Sequence, residues 1–361
     1  MREAKLEKST DEVKFRMKPP RILFVGNFLV RHWGNGRTGI DMRLSAAAIR
    51  NEWEMATFSE RDVTRFLAPL GFLRNIGAKM MNARLVKTVR NWKPDFIFMS
   101  HCDYVTNEAL AEARKACPGV RIVHINCDPV ETEHCRNQIA RRMESCDAIF
   151  VTTAGDILKT WTTGRNVVGF FPNPSDPSYE VEDNSVKTEF TWDLFFAGRP
   201  ALADARRELL GKVSERIDPS VRFGLFGMDV APLVVGRAYE EAIAASKMGL
   251  SINRFEGWKW YASDRITHLM ANGVLTFQYD GNDMQHFFTG KETAYFHTPE
   301  ELADRISWFN CHDEERRKVA AAGRAAYRRQ FDARRVLKFM VETVRGEKYS
   351  EPYEWAEEVY R

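Results

Sequence analysis

Short apolar runs that end in polar tips, each followed by a helical stretch, recur along the whole chain. No other feature limits its fold as much. RILFVGN (Arg21–Asn27) opens the series behind two prolines and reads as a buried strand. A glycine-rich loop, WGNGRTGID (Trp33–Asp41), leads from it into DMRLSAAAIRNEW, which reads as a helix. Strand runs follow at Pro94–Asp103, Val120–Pro129, Cys146–Asp156 and Val167–Pro177, with helical stretches such as NEALAEARKAC between them. Residues 172–190, PNPSDPSYEVEDNSVKTEF, are rich in proline and polar groups and read as a linker. The pattern then restarts. TWDLFFAGRP, SVRFGLFGMD, MGLSINR, VLTFQYD and ETAYFHT read as strands, and ARRVLKFMVETVRG and EPYEWAEEVYR close the chain as helices. Such alternation implies parallel sheets, so the expected class is α/β with two doubly wound units.

The expected division is a polar lead-in over 1–20, a first unit over 21–180, a second over 181–344 and a terminal helix over 345–361. The 361 residues are ample for two cores. The 53 basic and 50 acidic residues leave a net charge of +3, which gives no case for nucleic acid as a partner. No run approaches the roughly 18 apolar residues that span a bilayer. The first twenty residues are charged throughout and do not read as a signal peptide. Six scattered cysteines without a C-x-x-C pair fit free thiols and a cytoplasmic setting.

Doubly wound sheets bind ligands at the carboxyl ends of their strands, so the polar strand tips are the candidate site. In the first unit these are His101 and Asp103 after one strand, and His124, Asn126 and Asp128 after another. A carboxylate or histidine there can act as a base or orient an acceptor hydroxyl, and Asp128 and His124 are the expected catalytic pair. Gly34, Gly36 and Arg37 form a loop at the cleft mouth whose glycines admit close backbone approach. In the second unit, Gly198 and Arg199 end the first strand. Arg254, Glu256, Asp264, Arg265 and His268 lie on later strand-to-helix connections, and Gly273 turns the last of these helices into its strand. Arginines and a histidine converging on one sheet edge suit a diphosphate. The aromatic group Phe255, Trp258, Trp260 and Tyr261 is open to a base, a sugar ring, a packed loop or a membrane surface. His124, Cys127, His134 and Cys135 have no common zinc spacing, and no metal is expected.

DLFFAGRP, YEEAIAASKMGLSINR, DRITHLMANGVLTFQYD and HTPEELADRISWFNCHDEERRKVAAAGRAAYRRQF follow one another over Asp193–Val344. This order resembles the GT-B glycosyltransferases, most closely the CgeB-like proteins among the group 1 enzymes. The first half is similar more loosely, in CDAIFVTTAGD and FFPNPSDP. The resemblance implies two Rossmann-like domains facing a cleft and a nucleotide-sugar donor held mainly by the second. It also implies transfer without a metal or other cofactor and retention of anomeric configuration. The acceptor it suggests is a glycan or a lipid-linked saccharide of the cell envelope. Relatives close with a C-terminal helix crossing back to the first domain, a role that EPYEWAEEVYR suits. Many carry a Glu-x7-Glu pair whose second member contacts ribose. That position, counted back from Gly273, is His268 here, with Glu256 nearest to the first. The helix 264–272 is thus expected to present Arg265 and His268 to the nucleotide diphosphate. Arginine-rich helices near 315–336 are candidates for contact with an anionic membrane face. A degenerate sugar-nucleotide or glycan-binding protein and a nucleotide-sugar epimerase are the alternatives on the same fold.

Overall fold

The computed structural model describes residues 19–28, 39–201 and 204–361. Gly34, Gly36 and Arg37 lie outside the described residues.

The first half runs β1 (Arg21–Gly26), α1 (Ile40–Arg50), β2 (Glu54–Ser59), α2 (Glu60–Leu67), α3 (Arg74–Trp92), β3 (Phe96–Ser100), α4 (Asn107–Ala116), β4 (Arg121–Asn126), α5 (Glu133–Arg142), β5 (Ala148–Val151) and β6 (Val167–Phe170). The second runs β7 (Trp192–Gly198), α6 (Ala205–Arg216), β8 (Phe223–Gly227), α7 (Arg237–Ala244), β9 (Ser246–Ser251), α8 (Arg265–Met270), β10 (Leu275–Tyr279), β11 (Ala294–Phe296), α9 (Pro299–Cys311), α10 (Asp313–Gln330), α11 (Ala333–Arg345) and β12 (Val359–Tyr360).

The strands form two sheets, ordered β12-β6-β5-β4-β3-β1-β2 and β11-β10-β9-β7-β8. Every pairing is parallel except that of β12 with β6. Helices cover both faces, which is why β5 is apolar throughout, β3 is apolar up to Ser100, and both are fully buried. In the first sheet the strand order reverses between β1 and β3, and in the second between β7 and β9. These switch points are where such sheets open a crevice for ligands. β2, α2 and most of α3 had no clear signal in the sequence, because β2 is a partly exposed edge strand without a continuous apolar run.

The expected linker does join β6 to β7, but it is packed rather than solvated. Asn173, Ser175, Asp176, Glu180 and Asn184 are buried. Asn184 donates to Ile243 O and Ser246 O, and Asp176 accepts from Arg50.

The terminal segment departs from expectation. EPYEWAEEVYR forms turns and the short strand β12, not a helix. Tyr353 and Trp355, two residues apart, are both buried against Phe339 of α11, and that period of two does not suit a helix. The return to the first unit already begins with α11. Phe339 meets Phe150 of β5, and Arg121 of β4 donates to Val344 O.

Several arginines of the 315–336 helices are engaged within the protein. Arg316 is buried on Asp313, Arg317 pairs with the same carboxylate, and Arg324 pairs with Asp183. Arg328 donates to Ala271 O and Glu180 O. The linker needs these donors, because its carbonyls are buried.

Candidate functional site

Glycine ends β7 for a steric reason. A Cβ on Gly198 would lie 2.9 Å from the Phe196 ring and 3.3 Å from Arg206 Nη1. Arg199 follows it, exposed, and Arg254 follows β9, half-buried. Neither guanidinium has a side-chain partner among the described residues. Arg254 lines a cavity of about 210 Å³ with Asn253, Glu256, Tyr279, Phe296 and His297. The Tyr279 and His297 rings are stacked with centroids 5.7 Å apart. His297 Nδ1 lies 2.9 Å from Asp280 Oδ1, and that bond raises the His297 pKa. An aromatic wall beside an uncommitted cation suits a base and its phosphates.

Glu256 lines this cavity but is not free to bind. It accepts from Asn253 N at 2.6 Å, from Asn253 Nδ2 at 2.8 Å and from Asn282 Nδ2. Its role is to close the loop after β9, and burial raises its pKa. Arg265 is similarly committed. It donates twice to Ala197 O (3.1 and 2.9 Å), once to Ile252 O (2.9 Å) and once to Ser263 Oγ (3.1 Å). Four of its five N–H groups are therefore engaged in tying the ends of β7 and β9. It also lies 4.5 Å over the Phe196 ring. Burial lowers its pKa.

His268, Asp264 and Gly273 do not line the cavity of Arg254. α8 is only six residues long, and it turns Asp264 and His268 toward a buried arginine of the first unit. Arg43 on α1 is fully buried and donates to Glu180 Oε1 at 2.6 Å and to Asp264 at 3.0 and 3.2 Å. Its Nη2 lies 3.1 Å from His268 Nδ1, and His268 Nε2 lies 3.2 Å from Asp264 Oδ2. Burial works against the charge of Arg43, but Asp264 and Glu180 outweigh it and raise its pKa. Burial likewise opposes ionisation of Asp264, yet Arg43 and His268 hold its pKa well below the usual carboxylate range. His268 sits edge-on to Tyr239. Gly273 ends α8 with φ 71°, and a Cβ there would meet Asp183 Oδ1 at 2.8 Å. Both residues thus face the linker. A buried Arg43 requires carboxylate partners, and α8 supplies one.

On the first sheet, His124 is not at a strand tip. It is 2% exposed inside β4, and neither ring nitrogen has a partner. Burial, followed by Arg142 and His101, lowers its pKa to about 3. The His124 ring is therefore enclosed rather than displayed at the strand end. Asp128 does reach the surface, and its Oδ2 lies 3.5 Å from His101 Nδ1. His101 holds φ at 46°, and its Nε2 is 3.2 Å from Cys127 Sγ. Such strain in a residue other than glycine clusters at functional sites. Asp103 turns away, accepting from Arg61 and Gln138.

Asp41, at the start of α1, was missed. It fills the switch point between β1 and β3. Ser100 Oγ and Asn27 N donate to it, and burial raises its pKa. The available signal was an acidic first-turn residue directly after the glycine loop. Tyr261 stands between the two sheet ends. Burial raises its pKa first, and then the charges near it, among them Cys127 and Asp128 of the first unit and Glu256 of the second. Trp260 of that group is not a free stacking surface: it is 3% exposed and packs edge-on to Phe170 of β6.

The chain can now be compared with known proteins. Residues 201–342 match the family described as "Glycosyl transferase-like". No curated protein matches the chain. Among solved structures, Anabaena Alr3699/HepE in complex with UDP and glucose is similar at TM-score 0.57 and 12% identity, covering 91% of this chain and all of that one. Sucrose-phosphate synthase from Thermosynechococcus elongatus is similar at 0.59 and 10%, covering 91% and 98%. AviGT4, a glycosyltransferase involved in avilamycin A biosynthesis, is similar at 0.56 and 12%, covering 95% and 100%. At these identities the likeness of structures is one of fold. Residues 201–342 thus resemble the glycosyl transferase-like family, and the whole chain shares the two-sheet GT-B fold of these solved glycosyltransferases.

Proposed function

We propose that this enzyme moves a sugar from a nucleotide-sugar, a uridine diphosphate sugar in the first instance, to a hydroxyl of a glycan or lipid-linked saccharide. The observation that carries the reading is Arg254, a guanidinium without a protein partner among the described residues, on the wall of the cavity beyond β9. The base would lie against Tyr279 and Phe296, and Arg254 and Arg199 would meet the diphosphate. As the bond from the sugar to the diphosphate breaks, negative charge builds on the leaving oxygen, and fixed cations placed there lower the barrier. Two guanidinia can carry that charge, so the transfer is proposed to need no metal. His101, held by Asp128, would orient the acceptor hydroxyl at the facing sheet end. Retention of configuration is proposed from resemblance to the group 1 enzymes. The choice of uridine follows the UDP and UDP-glucose named with HepE.

The test is release of nucleoside diphosphate from a panel of nucleotide-sugars, with and without a lipid-linked saccharide and with a metal chelator present. Acceptor-dependent release that survives chelation supports the proposal. Conversion of the sugar without any acceptor would replace it with an epimerase.

A further inference from the structure

We propose that the corner between α2 and α3 is a docking surface for an anionic lipid bilayer. Phe66 is 86% exposed, Leu70 82% and Phe72 67%. Leu73, Ile76 and Met80 are exposed beside them. A contiguous apolar patch of this kind marks an interaction site. Leu70 sits in the left-handed region, with φ 56° and ψ 14°. This backbone is unfavourable for a leucine and turns its side chain to solvent.

The charge around the patch selects the partner. From Val63 to Lys93 the chain has no Asp or Glu, although acids and bases nearly balance overall. Arg65, Arg74, Lys79, Arg84, Lys87 and Arg90 fall in the same stretch. Arg84 and Lys87 follow Met80 by one and two helical turns, so they share its side of α3. Arg65 and Arg74, with Arg61, Thr64 and Tyr104, border a cleft of about 240 Å³, where Asp103 is already held by Arg61. A second copy is a poor occupant. A two-fold contact through this patch would set like charges against each other. An anionic bilayer offers apolar depth and negative headgroups together. No helix among the described residues is long and apolar enough to cross a membrane, so the contact is peripheral.

Docking stands without the sugar-transfer reading. If both hold, the β3 end with His101 faces the bilayer, and the acceptor class narrows to lipid-linked saccharides.

The experiment is co-sedimentation of the full chain with vesicles, without donor. One set is phosphatidylcholine, the other an equal mixture with phosphatidylglycerol. The wild type is expected to sediment with the mixture only, and less at high salt. Phe66→Ser with Leu70→Ser and Phe72→Ser weakens binding by about tenfold or more. Arg65→Glu with Arg74→Glu weakens it by about a hundredfold. Because these side chains are exposed, both variants should keep the wild-type melting temperature; if the apolar variant unfolds, the charge variant decides alone. Sedimentation with neither vesicle set, equal sedimentation of wild type and charge variant, or a dimer that the apolar variant dissociates would each overturn the proposal.

Discussion

Arg43 and Asp264 stand 221 residues apart in sequence and share two hydrogen bonds of 3.0 and 3.2 Å. Arg43 follows the glycine-rich loop, and Asp264 precedes the helix between β9 and β10. The pair, with Glu180 of the linker and His268, joins three parts of the chain in one buried cluster. Any change in the spacing of the two sheets must therefore break or carry this cluster.

Arg43→Ala leaves Glu180 buried without its cation. Removing one partner of a buried ion pair costs about 3–5 kcal/mol. Chemical denaturation should show a loss of that size, and Asp264→Asn should lose less, because Glu180 keeps its partner.

Glu60 gives a pH dependence of opposite sign to an ordinary ion pair. Burial raises its pKa to about 7. The folded state therefore holds a proton that the unfolded state releases above the usual carboxylate range. Stability falls as pH rises through that window and stays lower above the folded pKa. Glu60→Gln is expected to raise the melting midpoint at pH 8, by roughly 2 kcal/mol in stability, and to change little at pH 5. A gain of equal size at both pH values would contradict the assignment.

Gly273→Ala combines an unfavourable backbone at φ 71° with a contact of 2.8 Å to Asp183. A loss of about 1–3 kcal/mol is expected. Nucleotide affinity should stay unchanged, because the residue meets the linker and not the proposed donor cavity.

These contacts also show what could be read from sequence. The central strands of both sheets were legible because burial on both faces makes them largely apolar runs, as in FIFMS and AIFV, whereas the edge strands β2 and β12 were not. The places of Gly198, Arg199 and Arg254 at strand ends were legible because each closely follows an apolar run. The contact of His268 with Arg43 was not legible, because Arg43 is 225 residues away and no local pattern reports that pairing. His124 was misplaced by assigning it to a strand tip when β4 continues to Asn126. Trp355 looked helical because its neighbours favour helix, while burial against α11 decided otherwise.

Asp128→Asn removes the charge that holds His101. If His101 orients the acceptor, kcat should fall by about 10²-fold or more, with donor affinity retained. A change in donor KM alone would move the residue to the donor side.

The most direct test of the central claim is calorimetric titration of uridine diphosphate into the wild type, Arg254→Ala and His268→Gln. The account predicts that Arg254→Ala weakens binding at least about tenfold, as loss of a charge-assisted contact should. His268→Gln should bind like the wild type. Loss of binding in His268→Gln with Arg254→Ala unaffected would place the nucleotide at α8 and contradict the site described above.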